Sequence, residues 1–192
     1  MRTPKPCSIA LWTSDGAPDT GAYSSFGALN CEPDLHVVAE ALASLLPAWA
    51  PLVLSMMNRW CLWEMAWYLA HGQPGRALRR VRPYPPPIPL PEGEGVPGPV
   101  ASLSQLPVWY VTPGSLAQAF SPWFAVNWTG GLGVALPPPA LDPWLADRPR
   151  LARALSWLED RLWDRAPFSA WGDHCIVALH RTSALAPGEA RP

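Results

Sequence analysis

The chain has 192 residues, of which 49% are hydrophobic and 15% are charged, and its formal net charge is -1. A chain of this length and composition can bury one substantial core, so we expect a single domain. Because no long run of lysine or arginine offers a footprint for nucleic acid or an anionic membrane, we expect neither as a partner, although a small structured RNA stays open as a substrate.

The first quarter of the chain predicts two strands and a helix. Residues 8–13 (SIALWT) and 21–26 (GAYSSF) are short runs that end at turn-forming residues, and each predicts a strand. Pro33 then opens a helical pattern that Pro47 closes. The apolar residues of one face of this helix are Leu35, Val38, Leu42 and Leu45.

The next segment predicts a buried strand, a helix and an irregular excursion. Residues 51–57 (PLVLSMM) form the continuous apolar run expected of a strand in a parallel sheet that helices cover on both faces. Residues 60–71 predict a helix, with Trp60, Trp63 and Trp67 on one side. Residues 82–107 are rich in proline, which breaks helices and strands, so they predict a mobile excursion or lid near the pocket.

The second half continues the alternation of strands and helices. Residues 108–111 and 123–128 predict strands, and residues 115–120 predict a short helix between them. Residues 174–180 predict the last strand, and residues 183–192 a disordered tail.

A clear amphipathic helix is predicted at residues 149–164. One face of it carries Leu151, Leu155, Leu158 and Leu162. Residues 130–139 (GGLGVALPPP) precede it and are not a phosphate loop, because no Lys-Ser or Lys-Thr follows them and their glycines precede no helix N-terminus.

The cysteines and the apolar segments indicate a cytoplasmic protein. No Cys-x-x-Cys pair occurs among the four cysteines, so we expect neither a zinc site nor a disulfide framework, and the histidines are too dispersed to argue any other metal set. Residues 41–58 are uncharged and mostly apolar, but Pro47 and Pro51 interrupt them, which argues against a membrane span. No apolar run of signal-peptide length follows the N-terminus.

Three separated segments together resemble one enzyme family. Residues 21–30 (GAYSSFGALN), 51–64 (PLVLSMMNRWCLWE) and 166–181 (APFSAWGDHCIVALHR) resemble, in this order, the fourth strand, the fifth strand and the closing strand of class I S-adenosylmethionine-dependent methyltransferases. The resemblance covers residues 8–182. It implies an α/β fold, a partial Rossmann-like sheet with flanking helices, in which a mostly parallel sheet has residues 51–57 at its centre and the last strand antiparallel near one edge.

Two features of that family are missing from this chain. Its first strand with the Gly-x-Gly-x-Gly turn has no counterpart, and neither has its second strand, whose acidic end would hold the ribose hydroxyls. The usual Pro-Gly-Gly turn before strand five is replaced by residues 47–50 (PAWA), so that turn must take another conformation. We therefore expect one truncated methyltransferase-like domain over residues 1–182.

The resemblance implies S-adenosylmethionine as cofactor and a small molecule as methyl acceptor. Whether the chain is an enzyme stays open, because the main cofactor loop is missing. One alternative is a non-catalytic interaction module that pairs with a second subunit, and another is a truncated gene product without a role of its own.

Four residues match cofactor-binding positions of the family. Asp15 matches the acidic residue near the adenine amino group, and Ser25, Phe26 and Gly27 match the turn after strand four, where backbone groups line the cofactor. The alternatives are an ordinary turn residue for Asp15 and a plain strand end for the other three.

The candidate substrate-binding residues follow strand five. Asn58, Trp60 and Glu64 come at the carboxyl end of that strand, where open α/β sheets bind ligands. Glu64 would orient a substrate or act as a base, with a helix-surface residue as the alternative. The tryptophans would grip an apolar substrate, with core packing as the alternative. Asp173 beside His174 suggests an oriented imidazole, but the sequence assigns no catalytic residue.

The missing strands predict how the sheet edge is covered. Without strands one and two, residues 21–26 lose a neighbour and expose unpaired backbone groups. Only residues 14–20 separate them from residues 8–13, too few for a parallel crossover. We therefore predict that residues 8–13 either form an antiparallel hairpin with residues 21–26 or leave the edge open for a second chain, and that neither arrangement rebuilds the cofactor cradle.

Overall fold

The computed structural model describes residues 9–12, 20–25, 27–82, 88–89, 105–106 and 108–183. The strands, numbered along the chain, are β1 (Ile9–Trp12), β2 (Gly21–Ser24), β3 (Pro51–Met57), β4 (Ile88–Pro89), β5 (Gln105–Leu106), β6 (Phe124–Leu132) and β7 (His174–Arg181). The helices are α1 (Leu35–Leu45), α2 (Leu62–Ala70), α3 (Pro74–Ala77), α4 (Pro113–Phe120), α5 (Asp142–Ala146) and α6 (Pro149–Leu162). The predicted helices and the strand Pro51–Met57 are thus present.

Five of the described strands form a mixed sheet in the order β1-β2-β3-β7-β6, and helices flank it. The sheet is compatible with a Rossmann-like fold. The expectation of a mostly parallel sheet is wrong, because β2 with β3 is the one parallel pair among the four pairs of described neighbours. Two strands cause this. The link before β2 is too short for a crossover, and β7 enters antiparallel between β3 and β6.

The predicted hairpin covers the edge of the sheet. β1 pairs antiparallel with β2, and the partners run from Ile9 opposite Ser24 to Trp12 opposite Gly21. The backbone groups on this side of β2 therefore have partners within the chain. The prediction of a central β3 and of an antiparallel β7 near one edge is also confirmed.

The core lies on one face of the sheet. Along β3 the side chains alternate, so Leu52, Leu54 and Met56 are buried while Val53 on the opposite face is 37% exposed. The helices α1 and α4 cover the buried face. The other main core residues are Leu42, Leu116, Phe120, Cys175, Val177 and Leu179.

Local capping signals fix the ends of the two helices that cover the core. The Asp34 side chain accepts a hydrogen bond of 3.0 Å from the backbone N–H of His36 at the start of α1. Thr112 and Ser115 form a reciprocal capping box at the start of α4, and Pro113 occupies its first turn. This box explains why the helix begins two residues before the predicted start at Ser115.

Two predicted elements differ from the structure. The strand expected at residues 108–111 is reduced to one parallel bridge between Val111 and Asn58. The amphipathic helix is present as α6, but none of its side chains is buried, and Leu151 and Leu158 are each 37% exposed. The half-buried side of α6 consists of Ala152, Leu155, Glu159 and Leu162.

Much of the predicted proline-rich excursion lies outside the described residues, as does the tail from residue 184 onward. Within the described part of the excursion, β4 and β5 pair antiparallel, which corrects the expectation that prolines exclude ladder pairing there. No helix in the described ranges has both the length and the apolar character needed to cross a membrane.

Replacing Leu54 by alanine tests the position of the core. The side chain is fully buried at the centre of β3, so Leu54→Ala should lower the free energy of unfolding by about 2 to 5 kcal/mol. Urea denaturation measures this. The matched control is Val53→Ala, one residue away on the open face, which should cost clearly less. Equal losses would contradict the assignment of the two faces.

Candidate functional site

The candidate site lies at the end of the sheet where the parallel strands β2 and β3 finish and β7 begins. Asn30 joins the segments that meet at this end. Its side chain accepts a hydrogen bond from Met57 N at 2.7 Å and donates to Met57 O at 3.1 Å and Trp109 O at 2.6 Å. Because the amide is 1% exposed, these three bonds satisfy it in a water-free place and fix the loops that follow both strands.

Glu64 and Arg80 form a buried ion pair at this end of the sheet. Their exposures are 6% and 7%. Arg80 donates to Glu64 Oε2 from Nε at 3.0 Å and from Nη2 at 2.6 Å. Arg79 also donates to Glu64, from Nη2 at 2.9 Å and from Nε. The carboxylate of the first turn of α2 is therefore held by two guanidinium groups.

Arg80 links this pair to the start of β7. Its Nη2 lies 2.5 Å from Asp173 Oδ1, and its Nη1 donates to the backbone oxygens of Asp173 at 3.0 Å and of Asn58 at 3.2 Å. The guanidinium also lies over the Tyr110 ring, 5.1 Å from its centroid. One arginine thereby joins the ends of β3 and β7 to α2.

The two carboxyl groups stay ionised well into the acidic range. Burial by itself would raise the pKa of Asp173, but the hydrogen bond with His174 and the charge of Arg80 outweigh it and lower the pKa to about 2. Burial opposes ionisation of Glu64 too, and the hydrogen bond from Arg79 and the charge of Arg80 lower its pKa. Neither group is suited to accept a proton near neutral pH.

A trio of donor atoms beside Arg80 has the spacing of a metal site. The ligand atoms of Cys61, Glu64 and Asp173 lie within 4.8 Å of one another. Arg80 already pairs with both carboxylates, and Arg79 pairs with Glu64 as well. Burial raises the pKa of the Cys61 thiol to about 11, with a smaller opposing effect from Arg80. Because the Arg80 guanidinium already serves as the cation that these carboxylates contact, we assign no metal to the three residues.

A pocket of about 230 Å³ opens beside this cluster. Four charged residues line it: Glu64, Arg79, Arg80 and Asp173. The rest of the pocket wall is formed by Met57, Trp67, Tyr68, Pro138, Pro139 and Leu141. Apolar walls with a few polar groups are typical of a small-molecule site, and the volume suits a small ligand.

The structure separates the three predicted substrate-binding residues. Glu64 lines the pocket, which excludes the alternative of a helix-surface residue. Asn58 is fully buried and donates to Ala170 O at 2.6 Å, while its Oδ1 finds no hydrogen-bond partner among the described residues. Trp60 is 36% exposed and is not among the lining residues. Substrate binding by these three residues stays a prediction.

The predicted tryptophan stripe is divided between packing and the pocket. Trp67 lines the pocket and meets Trp144 edge-on, with ring centroids 5.7 Å apart. Trp63 packs on the same ring at 6.3 Å and donates from Nε1 to Ala135 O. Trp63 thus agrees with the packing alternative, while Trp67 lies where it could contact a ligand.

The predicted cofactor residues form no complete site within the described chain. Asp15 and Phe26 lie outside the described residues, and Ser25 is exposed. Gly27 adopts a φ of +73°, and an added Cβ would approach Asn30 Oδ1 to 2.9 Å, so this position requires glycine for the turn itself. Its N–H already donates to Ser55 O at 3.1 Å. Binding of S-adenosylmethionine by these four residues stays a prediction.

The sequence interpretation missed the arginines of the site. A buried glutamate among tryptophans needs a cationic partner, and Arg79 and Arg80, just beyond Pro74, were the available signal. The suggestion of an oriented imidazole is confirmed, because His174 Nδ1 lies 2.9 Å from Asp173 Oδ2.

Comparison with models of protein families and with curated proteins gives no match to this chain.

Removing the Glu64 charge should destabilise the fold. Glu64→Gln leaves Arg79 unpaired and Arg80 with Asp173 alone, so we expect a loss of about 3 kcal/mol in the free energy of unfolding at neutral pH. Urea denaturation gives the value, and Glu40→Gln on the exposed side of α1 is the control. A loss no larger than that of the control would show that the ion pair does not stabilise the fold.

The same cluster should make the protein sensitive to strong acid. Because the pKa of Asp173 falls from 3.8 to about 2 on folding, its stabilisation is complete above pH 3.8 and is lost as the pH falls through 2. The expected loss is about 2 kcal/mol, seen in urea denaturation across this window. Asp173→Asn should flatten that part of the profile, while exposed Asp147→Asn should not. Identical profiles for wild type and Asp173→Asn would contradict the pairing.

Proposed function

We propose that this chain is the acceptor-binding side of an S-adenosylmethionine-dependent methyltransferase that acts on a small molecule. The observation that carries the proposal is the position of β7, which lies antiparallel between β3 and β6 as the resemblance implies for the closing strand. β2 and β3 run parallel, in agreement with what the resemblance implies for the fourth and fifth strands. An open pocket at their carboxyl end agrees with where such sheets bind ligands.

The pocket supports a role in holding the methyl acceptor. Trp67 and Tyr68 offer aromatic faces, and Arg79, whose side chain is 39% exposed, offers a charged edge. Methyl transfer needs the acceptor held in line with the methyl group, so rigid positioning supplies much of the rate. Glu64 and Asp173, clamped by arginine, serve such positioning better than proton transfer.

In this proposal the cofactor cradle is completed from outside residues 1–192. The sequence has no Gly-x-Gly-x-Gly turn, and β1 occupies the side of β2 where the family's first strand would lie. Because β1 is antiparallel to β2, it cannot present the turn that a parallel first strand would place at the carboxyl edge. A longer form of the chain or a second subunit would supply the missing side.

The second candidate is a non-catalytic interaction module with the same partial fold. The hairpin favours it, because β1 gives β2 a backbone partner without any cofactor strand. In this case no added segment would create a cofactor site.

Titration of S-adenosylmethionine distinguishes the two candidates. The purified chain should bind the cofactor no more tightly than about 1 mM, which corresponds to about 4 kcal/mol, since one side of the ligand finds no contacts. The second arm repeats the calorimetry on a chain extended by any in-frame residues that the DNA directly upstream of the Met1 codon encodes, and there the affinity should be micromolar.

Each outcome of this titration has a distinct meaning. Micromolar binding by the chain alone would show that the cradle is complete and would refute the half-site interpretation. Failure of the extended chain to bind would refute the methyltransferase proposal in its single-chain form. Binding restored by a co-purified second subunit, tested in the same calorimeter, would place the cradle in that subunit.

A further inference from the structure

The loop that follows β6 directs four consecutive backbone N–H groups at one carboxylate. Glu159 Oε1 accepts hydrogen bonds from Gly133 N at 2.9 Å and Val134 N at 3.2 Å. Glu159 Oε2 accepts from Ala135 N at 2.6 Å and Leu136 N at 3.1 Å. Each oxygen of the planar group therefore receives two donors, and no cationic side chain takes part in these contacts.

The backbone of this loop is shaped for an anion. Successive N–H groups that converge in a turn make a concave site with positive partial charge. Gly133 begins the turn with a φ of +68°, a conformation that other residues rarely adopt. The division of the four donors between two oxygens matches the flat, two-oxygen shape of a carboxylate.

Glu159 is a main tie between α6 and the rest of the protein. No side chain of α6 is fully buried, and its apolar contacts come from the half-buried Ala152, Leu155 and Leu162. A second polar contact is made by Trp163, just beyond the last turn, whose O accepts from Gly131 N at 2.6 Å and whose ring meets Trp128 at 5.0 Å. A charged group bound by four amides is the stronger of the two polar contacts.

The same loop continues into the pocket wall. Ala135 O accepts the hydrogen bond from Trp63 Nε1, and Pro138 and Pro139, which follow shortly after, line the pocket. The position of this wall thus depends on the conformation of residues 133–136.

We infer that residues 133–136 form a carboxylate-binding site which the chain fills with its own Glu159, and that this contact is a latch joining α6 to the pocket wall. Without the Glu159 carboxylate the four amides are left unpaired, and the loop takes up a free small carboxylate in its place. The ligand class is a planar monocarboxylate such as formate or acetate. This inference does not depend on the methyltransferase proposal.

Chemical rescue tests the site. Glu159→Ala should lower the melting temperature of the full chain by about 5 to 10 °C, because several charge-assisted hydrogen bonds are lost together. Sodium acetate should restore a large part of this loss in a saturable way, whereas sodium chloride at equal ionic strength should not. Asp160→Ala, at the exposed neighbouring position on α6, is the matched control and should show neither the loss nor the acetate effect.

Glu159→Gln adds a test of the chemistry, since its NH₂ group would face N–H donors and acetate could not enter beside it. This variant should melt lower than wild type and should not respond to acetate. An unchanged melting temperature of Glu159→Ala, or equal rescue by chloride, would overturn the inference.

Hydrogen exchange on the wild-type chain keeps the test decisive if Glu159→Ala does not fold. The amides of Gly133, Val134, Ala135 and Leu136 should all be protected, even though they lie in a loop without ladder bonding. Exchange at the rate of an open loop would show that Glu159 does not hold them. Protection of all four would support the latch independently of any variant.

Discussion

The candidate site depends on the buried positive charge of Arg80. Its guanidinium contacts Glu64 on α2, Asp173 before β7 and the backbone oxygen of Asn58 after β3, so three separate parts of the chain meet at one buried group. A buried cation is tolerable only when paired, and a buried carboxylate has the same requirement. The partners therefore fix one another, and they supply charged residues that line the pocket beside them.

The place of β7 between β3 and β6 gives this cluster its position. Because β7 runs antiparallel to β3, its first residues lie beside the last residues of β3, with Met57 opposite His174. Asp173 is thereby carried to the carboxyl end of β3, where Asn58 and the start of α2 also lie. With β7 parallel to β3, Asp173 would lie at the opposite edge, away from Glu64.

Backbone polar groups need hydrogen-bond partners, and two other features of this chain supply them. These are the β1–β2 hairpin and the contact of Glu159 with the loop of residues 133–136. β1 supplies backbone partners to the outer side of β2. Glu159 supplies hydrogen-bond acceptors to four consecutive loop amides. Both solutions use residues of this chain: the first pairs a strand, and the second joins α6 to the loop that continues into the pocket wall.

The sequence by itself determined the elements whose signals are local. The continuous apolar run Pro51–Met57 predicted the central strand with its observed bounds. The short link of residues 14–20 excluded a parallel crossover and left a hairpin or an open edge, of which the hairpin is present. The proline boundaries predicted α1 within two residues of its start. It also placed Glu64 at the carboxyl end of the sheet, because the end of a strand is visible in the sequence.

The tertiary structure alone decided which strands lie parallel and which charges meet. A sequence of alternating strands and helices does not reveal that β7 lies between β3 and β6. Together with the β1–β2 hairpin, the two antiparallel pairs of β7 leave β2 with β3 as the one parallel pair among the described neighbours. Glu64 and Asp173 are far apart in the chain, so no local pattern shows that Arg80 pairs with both. The four leucines of α6 gave a strong helical pattern, yet burial depends on what lies opposite, and Leu151 and Leu158 face the outside. Periodicity reports the local conformation of the chain, whereas pairing and burial depend on contacts between distant segments, which only the folded structure brings together.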